Sequence, residues 1–122
     1  MVFGKEDVDM KESVIQRAIL DYLAWYSIKH KIYWFRSGAG VVKTEAGGVF
    51  RSGKPGVPDI TICAGGQFIG VEVKTAKGRQ SASQKKAEAE IVAAGGVYKI
   101  VRNLEGIKEL FPMGEVGCGA AR

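Results

Sequence analysis

Apolar residues recur along this chain with two different periods, and each change of period marks an element. From about Asp9 to His30, Val14, Ile15, Ala18, Ile19, Tyr22, Leu23 and Tyr26 fall on one broad face at helical spacing, which predicts an amphipathic helix. Asp9 is placed to cap its N-terminus, with Glu12 three residues on, as in a capping box. Ile32 to Phe35 is dense in β-branched and aromatic residues and reads as a short strand. Residues 60 to 63, Ile-Thr-Ile-Cys, read as a buried strand that starts at Asp59. Residues 67 to 74, Gln-Phe-Ile-Gly-Val-Glu-Val-Lys, alternate with period two, so Ile69, Val71 and Val73 share one face and Glu72 and Lys74 the other. Ser81 opens a second helix to about Ala94, ended by Gly95-Gly96, and Val97 to Val101 is a further strand. Asn103 caps a short third helix to about Phe111, and Pro112 stops it.

The order is helix, three strands, helix, strand, helix. It predicts an α/β fold, a mixed central sheet of about four strands flanked by helices. The chain reads as a single domain over residues 1–112, followed by a loose glycine-containing tail over 113–122. Residues 36 to 56 form a glycine-rich basic connection with room for a small hairpin, and so long a connection is usually functional.

Composition narrows the class. At 122 residues the chain supports one hydrophobic core. It contains no run near the roughly 18 apolar residues of a membrane span, and its charged N-terminus lacks the apolar stretch of a signal peptide, so a cytoplasmic protein without a membrane partner is expected. Eighteen Lys and Arg against thirteen Asp and Glu give a formal charge of +5, which suits a polyanionic partner. Lys43, Arg51 and Lys54 precede Pro58-Asp59, while Lys74, Lys77, Arg79, Lys85 and Lys86 follow Glu72, so positive charge brackets the carboxylates. With only His30, Cys63 and Cys118 and no paired spacing, zinc is excluded; Cys63 is expected as a small buried hydrophobe and no disulfide is expected.

The chemistry concentrates in Asp59 and Glu72-Val73-Lys74. A hairpin turning through Ala64-Gly65-Gly66 brings Asp59, at the head of one strand, beside Glu72 near the end of the next. Two carboxylates so placed can bind one hard divalent cation, and Lys74 on the same face can hold an attacking water or balance phosphate charge. Each residue also has an ordinary explanation, because a Glu-Val-Lys alternation suits any half-exposed strand and an aspartate after proline suits a turn. The Gly53-Lys54 pair is not a phosphate-binding loop, since no Ser or Thr follows to open a helix.

Gly56-Val57-Pro58-Asp59-Ile60, Gly70-Val71-Glu72-Val73-Lys74, Ser81-Ala82-Ser83-Gln84 and Gly95-Gly96-Val97 together resemble the virus-type replication-repair nuclease family, a branch of the PD-(D/E)XK nuclease superfamily. The resemblance runs from about Glu12 to Leu110, and Glu12 followed by Ile15-Gln16 is similar to the family's opening motif. It implies a restriction-endonuclease-like core. It also implies that Asp59, Glu72 and the main-chain carbonyl of Val73 bind Mg²⁺ or Mn²⁺, with Glu12 reaching in directly or through a water. Lys74 would orient or help deprotonate the attacking water, and Gln84 would touch Lys74 or the scissile phosphate. The implied reaction is in-line hydrolysis of DNA that leaves 5′-phosphate and 3′-hydroxyl ends. Glu12 and Gln84 have structural roles available too, at a helix N-terminus and in a capping box. Gln16 shares the face of Glu12 and is a weaker candidate.

Arg36, Lys43, Arg51, Lys54, Lys77, Arg79 and Lys85 are the candidate DNA contacts; Ser37 could also contact a phosphate, and the loop glycines allow close backbone approach. Small stand-alone members of the resembled family act on four-way (Holliday) junctions, and paired symmetric cuts need two sites related by a two-fold axis. The reading is therefore a Mg²⁺- or Mn²⁺-dependent endonuclease on branched DNA, a homodimeric junction resolvase of DNA repair and recombination. Trp25, Ile28, Tyr33 and Trp34 are candidates for the dimer face. Two alternatives stand beside it: a nicking or restriction-like nuclease on other DNA shapes, and a DNA-binding module without catalysis. The joint presence of Asp59, Glu72 and Lys74 argues against the last.

Overall fold

A computed structural model describes residues 10–38, 41–43, 45–51 and 54–113, with only the backbone for 41–43 and 49–51. The elements are α1 (Glu12–Tyr26), β1 (Ile32–Arg36), β2 (Val41–Lys43), β3 (Val49–Arg51), β4 (Ile60–Ala64), β5 (Gln67–Val73), α2 (Ala82–Ala93), β6 (Val97–Val101) and α3 (Leu104–Leu110). Four strands form one mixed sheet in the order β1-β4-β5-β6, and β2 and β3 pair separately as the small hairpin within the glycine-rich connection. The α/β class, the four-stranded mixed sheet and its flanking helices agree with the pattern of the sequence.

Local chemistry explains most boundaries. Gly65 and Gly66 both take positive φ, the two-residue turn whose twist matches the flanking antiparallel strands, and the register Ala64↔Gln67 closes it. Because β5 and β6 run parallel, the chain must cross over between them, and α2 supplies the crossover. Ser81 caps α2 in a reciprocal box with Gln84, and the Asn103 side chain accepts the Gly106 N–H at the start of α3. At α1 the expectation fails. Its N-cap is Lys11, with no side-chain cap, and Asp9 lies outside the described residues.

The core lies on one face of the sheet. Ile15, Ile19, Tyr22, Leu23 and Tyr26 of α1, with Ile107 and Phe111 at α3, pack on Ile60, Ile62, Ala64, Ile69, Val71, Val73 and Val101. Each fully buried Ile, Leu or Val contributes about 1.5–3 kcal/mol, so this face carries most of the stability. Val14, expected on the apolar face of α1, is half exposed, because the buried stripe begins at Ile15. Cys63 is also corrected: it is exposed, whereas its neighbours Ile62 and Ala64 are buried. Cys63 points to the face opposite the core; Thr61 on that face is buried, but Cys63 lies between the exposed Tyr33 and Phe68 and stays open.

The opposite face is only partly covered. There α2 meets β5 through Ile91 at Gly70, where an added Cβ would stand 2.6 Å from Pro58 Cγ. Gly56, at φ +78°, has space only for hydrogen, since a Cβ there would run into the Ser83 carbonyl. The loop before Asp59 is thereby pressed against the N-terminus of α2.

Candidate active site

Asp59 stands immediately before β4, and its backbone is gripped by the end of β1. The Ser37 and Gly38 N–H groups both donate to the Asp59 carbonyl, at 2.8 and 3.0 Å. The Ser37 hydroxyl donates to the Pro58 carbonyl at 2.8 Å and accepts from Thr61 Oγ1 at 2.7 Å. With its main chain held on both sides, Asp59 directs Oδ2 to the backbone N–H of Val73, which donates at 2.8 Å. A carboxylate thus takes the place of a ladder acceptor where β4 has not yet begun. Because the N–H and C=O of one strand residue point to the same edge, the Val73 carbonyl turns toward Asp59 as well.

Glu72 lies on the adjacent strand with 2% of its side chain exposed. Gln84 Nε2 donates to its Oε2 at 2.8 Å, and Lys74 Nζ stands 3.8 Å from the same oxygen. Its Oε1 is buried and has no hydrogen-bond partner. Burial first, and the Asp59 charge second, push the Glu72 carboxyl from 4.5 up to about 8; Lys74 opposes the rise and Glu12 adds to it. Two ionised carboxylates cannot donate to each other, so the Asp59–Glu72 contact becomes a hydrogen bond only when a proton is shared between them. A divalent cation can replace that proton. Asp59, Glu72 and the Val73 carbonyl offer hard oxygen donors, and the orphaned Oε1 is the buried acceptor such an ion would satisfy. Among the described residues no group of three His, Cys, Asp or Glu side chains is gathered to hold a metal, so the donor set needs a carbonyl or water to complete it.

The α2 capping box fixes the orientation of Gln84. Gln84 Oε1 accepts the Ser81 N–H at 2.8 Å, which turns the amide nitrogen toward Glu72. The same residue therefore caps a helix and orients a carboxylate. Its partner is Glu72, whereas the family resemblance implied Lys74 or the scissile phosphate. Lys74 is mostly buried, and its ion pair is long enough to leave ammonium donors for another partner. Glu12 is exposed at the first turn of α1 and acts on Glu72 through its charge.

The remaining basic residues differ in disposition. Arg36, Lys77, Arg79 and Lys85 are exposed, whereas Lys54 is engaged by Glu90 at 2.8 Å. The side chains of Lys43 and Arg51 lie outside the described residues. The four residues proposed for a dimer face do not share a surface: Trp34 packs on the core, Tyr33 alternates to the opposite side of β1, and Trp25 and Ile28 protrude near the end of α1. Sequence reasoning missed Arg102. Its Nη1 donates to the carbonyls of Thr75 at 2.7 Å and Gly78 at 2.8 Å, holding the loop that carries Lys77 between Lys74 and α2. No local signal could reveal it, since its partners lie 24 and 27 residues away. Ser37, a candidate phosphate contact on the sequence, instead braces Asp59 through its hydroxyl.

No protein-family model, no curated protein and no solved structure matches this chain. No helix among the described residues is long and apolar enough to cross a membrane.

Proposed function

We propose that this protein is a divalent-metal-dependent phosphodiesterase acting on DNA. More particularly, we read it as an endonuclease of the virus-type replication-repair type that cuts branched DNA, with the four-way junction as its substrate. The observation that carries the reading is the buried Glu72 carboxylate with one orphaned oxygen, set beside Asp59 and within 3.8 Å of Lys74. So costly an arrangement is hard to explain by stability alone, because a buried polar oxygen left without a partner costs about 1–3 kcal/mol.

Asp59, Glu72 and the Val73 carbonyl would hold Mg²⁺ or Mn²⁺. When bound, that cation supplies Lewis-acid polarisation of the phosphate and a hydroxide nucleophile at neutral pH. Lys74 donates to the incoming water or to a non-bridging phosphate oxygen and offsets the charge that builds there. Gln84 keeps Glu72 in place, while Ser37 and Gly38 do the same for Asp59. Glu12 stands as an outer carboxylate able to act through water. Arg36, Lys77, Arg79 and Lys85 contact the phosphate backbone, which sets affinity without reading sequence. Paired cutting of a junction requires a homodimer, so two such sites act together.

The test is a panel of labelled duplex, flap, splayed-arm and four-way DNA, incubated with wild type and Asp59→Ala in Mg²⁺, Mn²⁺ or EDTA. Paired symmetric cuts confined to the junction, absent in EDTA and in the variant, support the reading. Equal cutting of linear duplex would leave a nuclease without the junction preference. Binding without cutting in either metal would favour the DNA-binding module.

A further inference from the structure

β1 is an edge strand whose two faces have opposite fates. Ile32 and Trp34 pack on the core, and Tyr33 and Phe35 project from the other face, 71% and 46% exposed. Their rings lie 6.1 Å apart and tilted by 54°. Helix α2 packs on β6 and reaches β5 through Ile91 at Gly70, which leaves the face over β1, at the far edge of the sheet, open. Across the sheet Phe35 stands opposite Thr61, and Thr61 opposite Gly70, two residues before Glu72. By the period of two, Phe35 and Glu72 occupy the same face. Two residues of strand rise and one strand spacing put the Phe35 backbone on the order of 8 Å from that of Asp59, and Tyr33 about 7 Å further along.

We propose that Tyr33 and Phe35 form a stacking platform for unpaired bases of the DNA substrate, next to the scissile phosphate. This rests on the nuclease reading above and narrows its substrate to DNA with open base pairs beside the cut. Aromatic faces bind bases of any sequence by stacking, but only bases already out of the helix are available to them. Lys31, exposed just before β1 and two residues from Tyr33, supplies a positive charge beside the rings that suits a phosphate, whereas Arg36 alternates to the other face of the strand. The position of the face beside the carboxylates argues against a second copy as the occupant. A two-fold contact through this face would cover the route to the carboxylates. A flap or splayed arm supplies unpaired bases at no cost, and a four-way junction can open the pairs at its branch point at less cost than continuous duplex, which must first unstack on both sides.

The test measures binding in EDTA, where no cutting occurs. The probes are a splayed-arm DNA with 2-aminopurine at its first unpaired positions and a continuous duplex of the same length. Wild type should quench the 2-aminopurine and bind the splayed arm more tightly than the duplex. The double variant Tyr33→Ser/Phe35→Ser should lose the quenching and bind the splayed arm at least about tenfold more weakly, with duplex affinity within about twofold. Tyr33→Phe and Phe35→Tyr, which keep the rings, should behave as wild type. Unchanged splayed-arm binding by the double variant overturns the proposal. So does an equal loss for both DNAs accompanied by a fall in mass from dimer to monomer in sedimentation, which would make the face a contact between copies. Quenching that survives in a protein unable to cut in Mg²⁺ or Mn²⁺ would keep the platform and refute the nuclease. Cutting that survives in a protein without quenching would do the reverse.

Discussion

Replacing Glu72 with glutamine should stabilise the metal-free protein at alkaline pH. In the native state burial and the neighbouring Asp59 raise the Glu72 carboxyl from 4.5 to about 8, while the unfolded chain titrates near the lower value. The folded protein therefore binds more protons than the unfolded one between those limits, and stability falls as pH rises through that window. At about 1.4 kcal/mol per pH unit the full penalty above pH 8 is at most about 5 kcal/mol. Coupling to Asp59 and local relaxation reduce it, and roughly 2 kcal/mol is the working expectation. The substituted amide would remain neutral, keep the shape and still accept from Gln84 Nε2. For a domain of this size the gain corresponds to a melting temperature higher by roughly 6–10 °C at about pH 9, shrinking toward zero near pH 5. Circular dichroism melts of both proteins in EDTA across that range provide the assay. Adding Mn²⁺ at about one hundred times its dissociation constant should restore about 2.7 kcal/mol to wild type and nothing to Glu72→Gln. Parallel melting curves for the two proteins at every pH would refute the reasoning.

Further substitutions separate the roles of the neighbours. Asp59→Ala should abolish cleavage while changing duplex affinity by less than about threefold in a gel-shift assay, because backbone contacts come from Lys and Arg. Lys74→Met should lower the single-turnover cleavage rate by about 10² or more at saturating metal, since it removes charge stabilisation next to the reacting phosphate. Gln84→Glu keeps the capping geometry of α2 but sets an anion against Glu72 Oε2. Repulsion between the two carboxylates should lower its melting temperature in EDTA below that of wild type, and Mn²⁺, which relieves that repulsion, should raise it by more than it raises wild type. Ser37→Ala should cost about 1 kcal/mol of stability and slow cleavage without weakening DNA binding, as expected of a residue that only braces Asp59.

Features that depend on near neighbours are readable in the sequence. The Gly65-Gly66 turn, the Ser81–Gln84 box, the Asn103 cap and the alternation that places Glu72 and Lys74 together all follow from residues within a few positions of one another. Asp59 and Glu72 can be paired because one tight turn fixes the register between their strands. Cys63 departs from expectation because Ile60 to Ala64 is apolar almost throughout, so hydrophobicity alone cannot say which alternate residues face the core. The target of Gln84, the bracing of Asp59 by Ser37 and the hold of Arg102 on the loop after Lys74 each join segments at least 12 residues apart. Such contacts are set by how the strands and α2 pack, which no local pattern encodes.

The carboxylate pair as a metal-dependent DNA-cutting centre is tested most directly on a single labelled four-way junction. Incubated with the protein in Mg²⁺, it should be nicked at symmetric positions on two strands, and the nicks should be sealed by DNA ligase without prior treatment, which requires 5′-phosphate and 3′-hydroxyl ends. EDTA or Asp59→Ala should leave the junction whole. A junction that stays intact with folded wild-type protein in both Mg²⁺ and Mn²⁺, or one cut equally well in EDTA, would contradict the account.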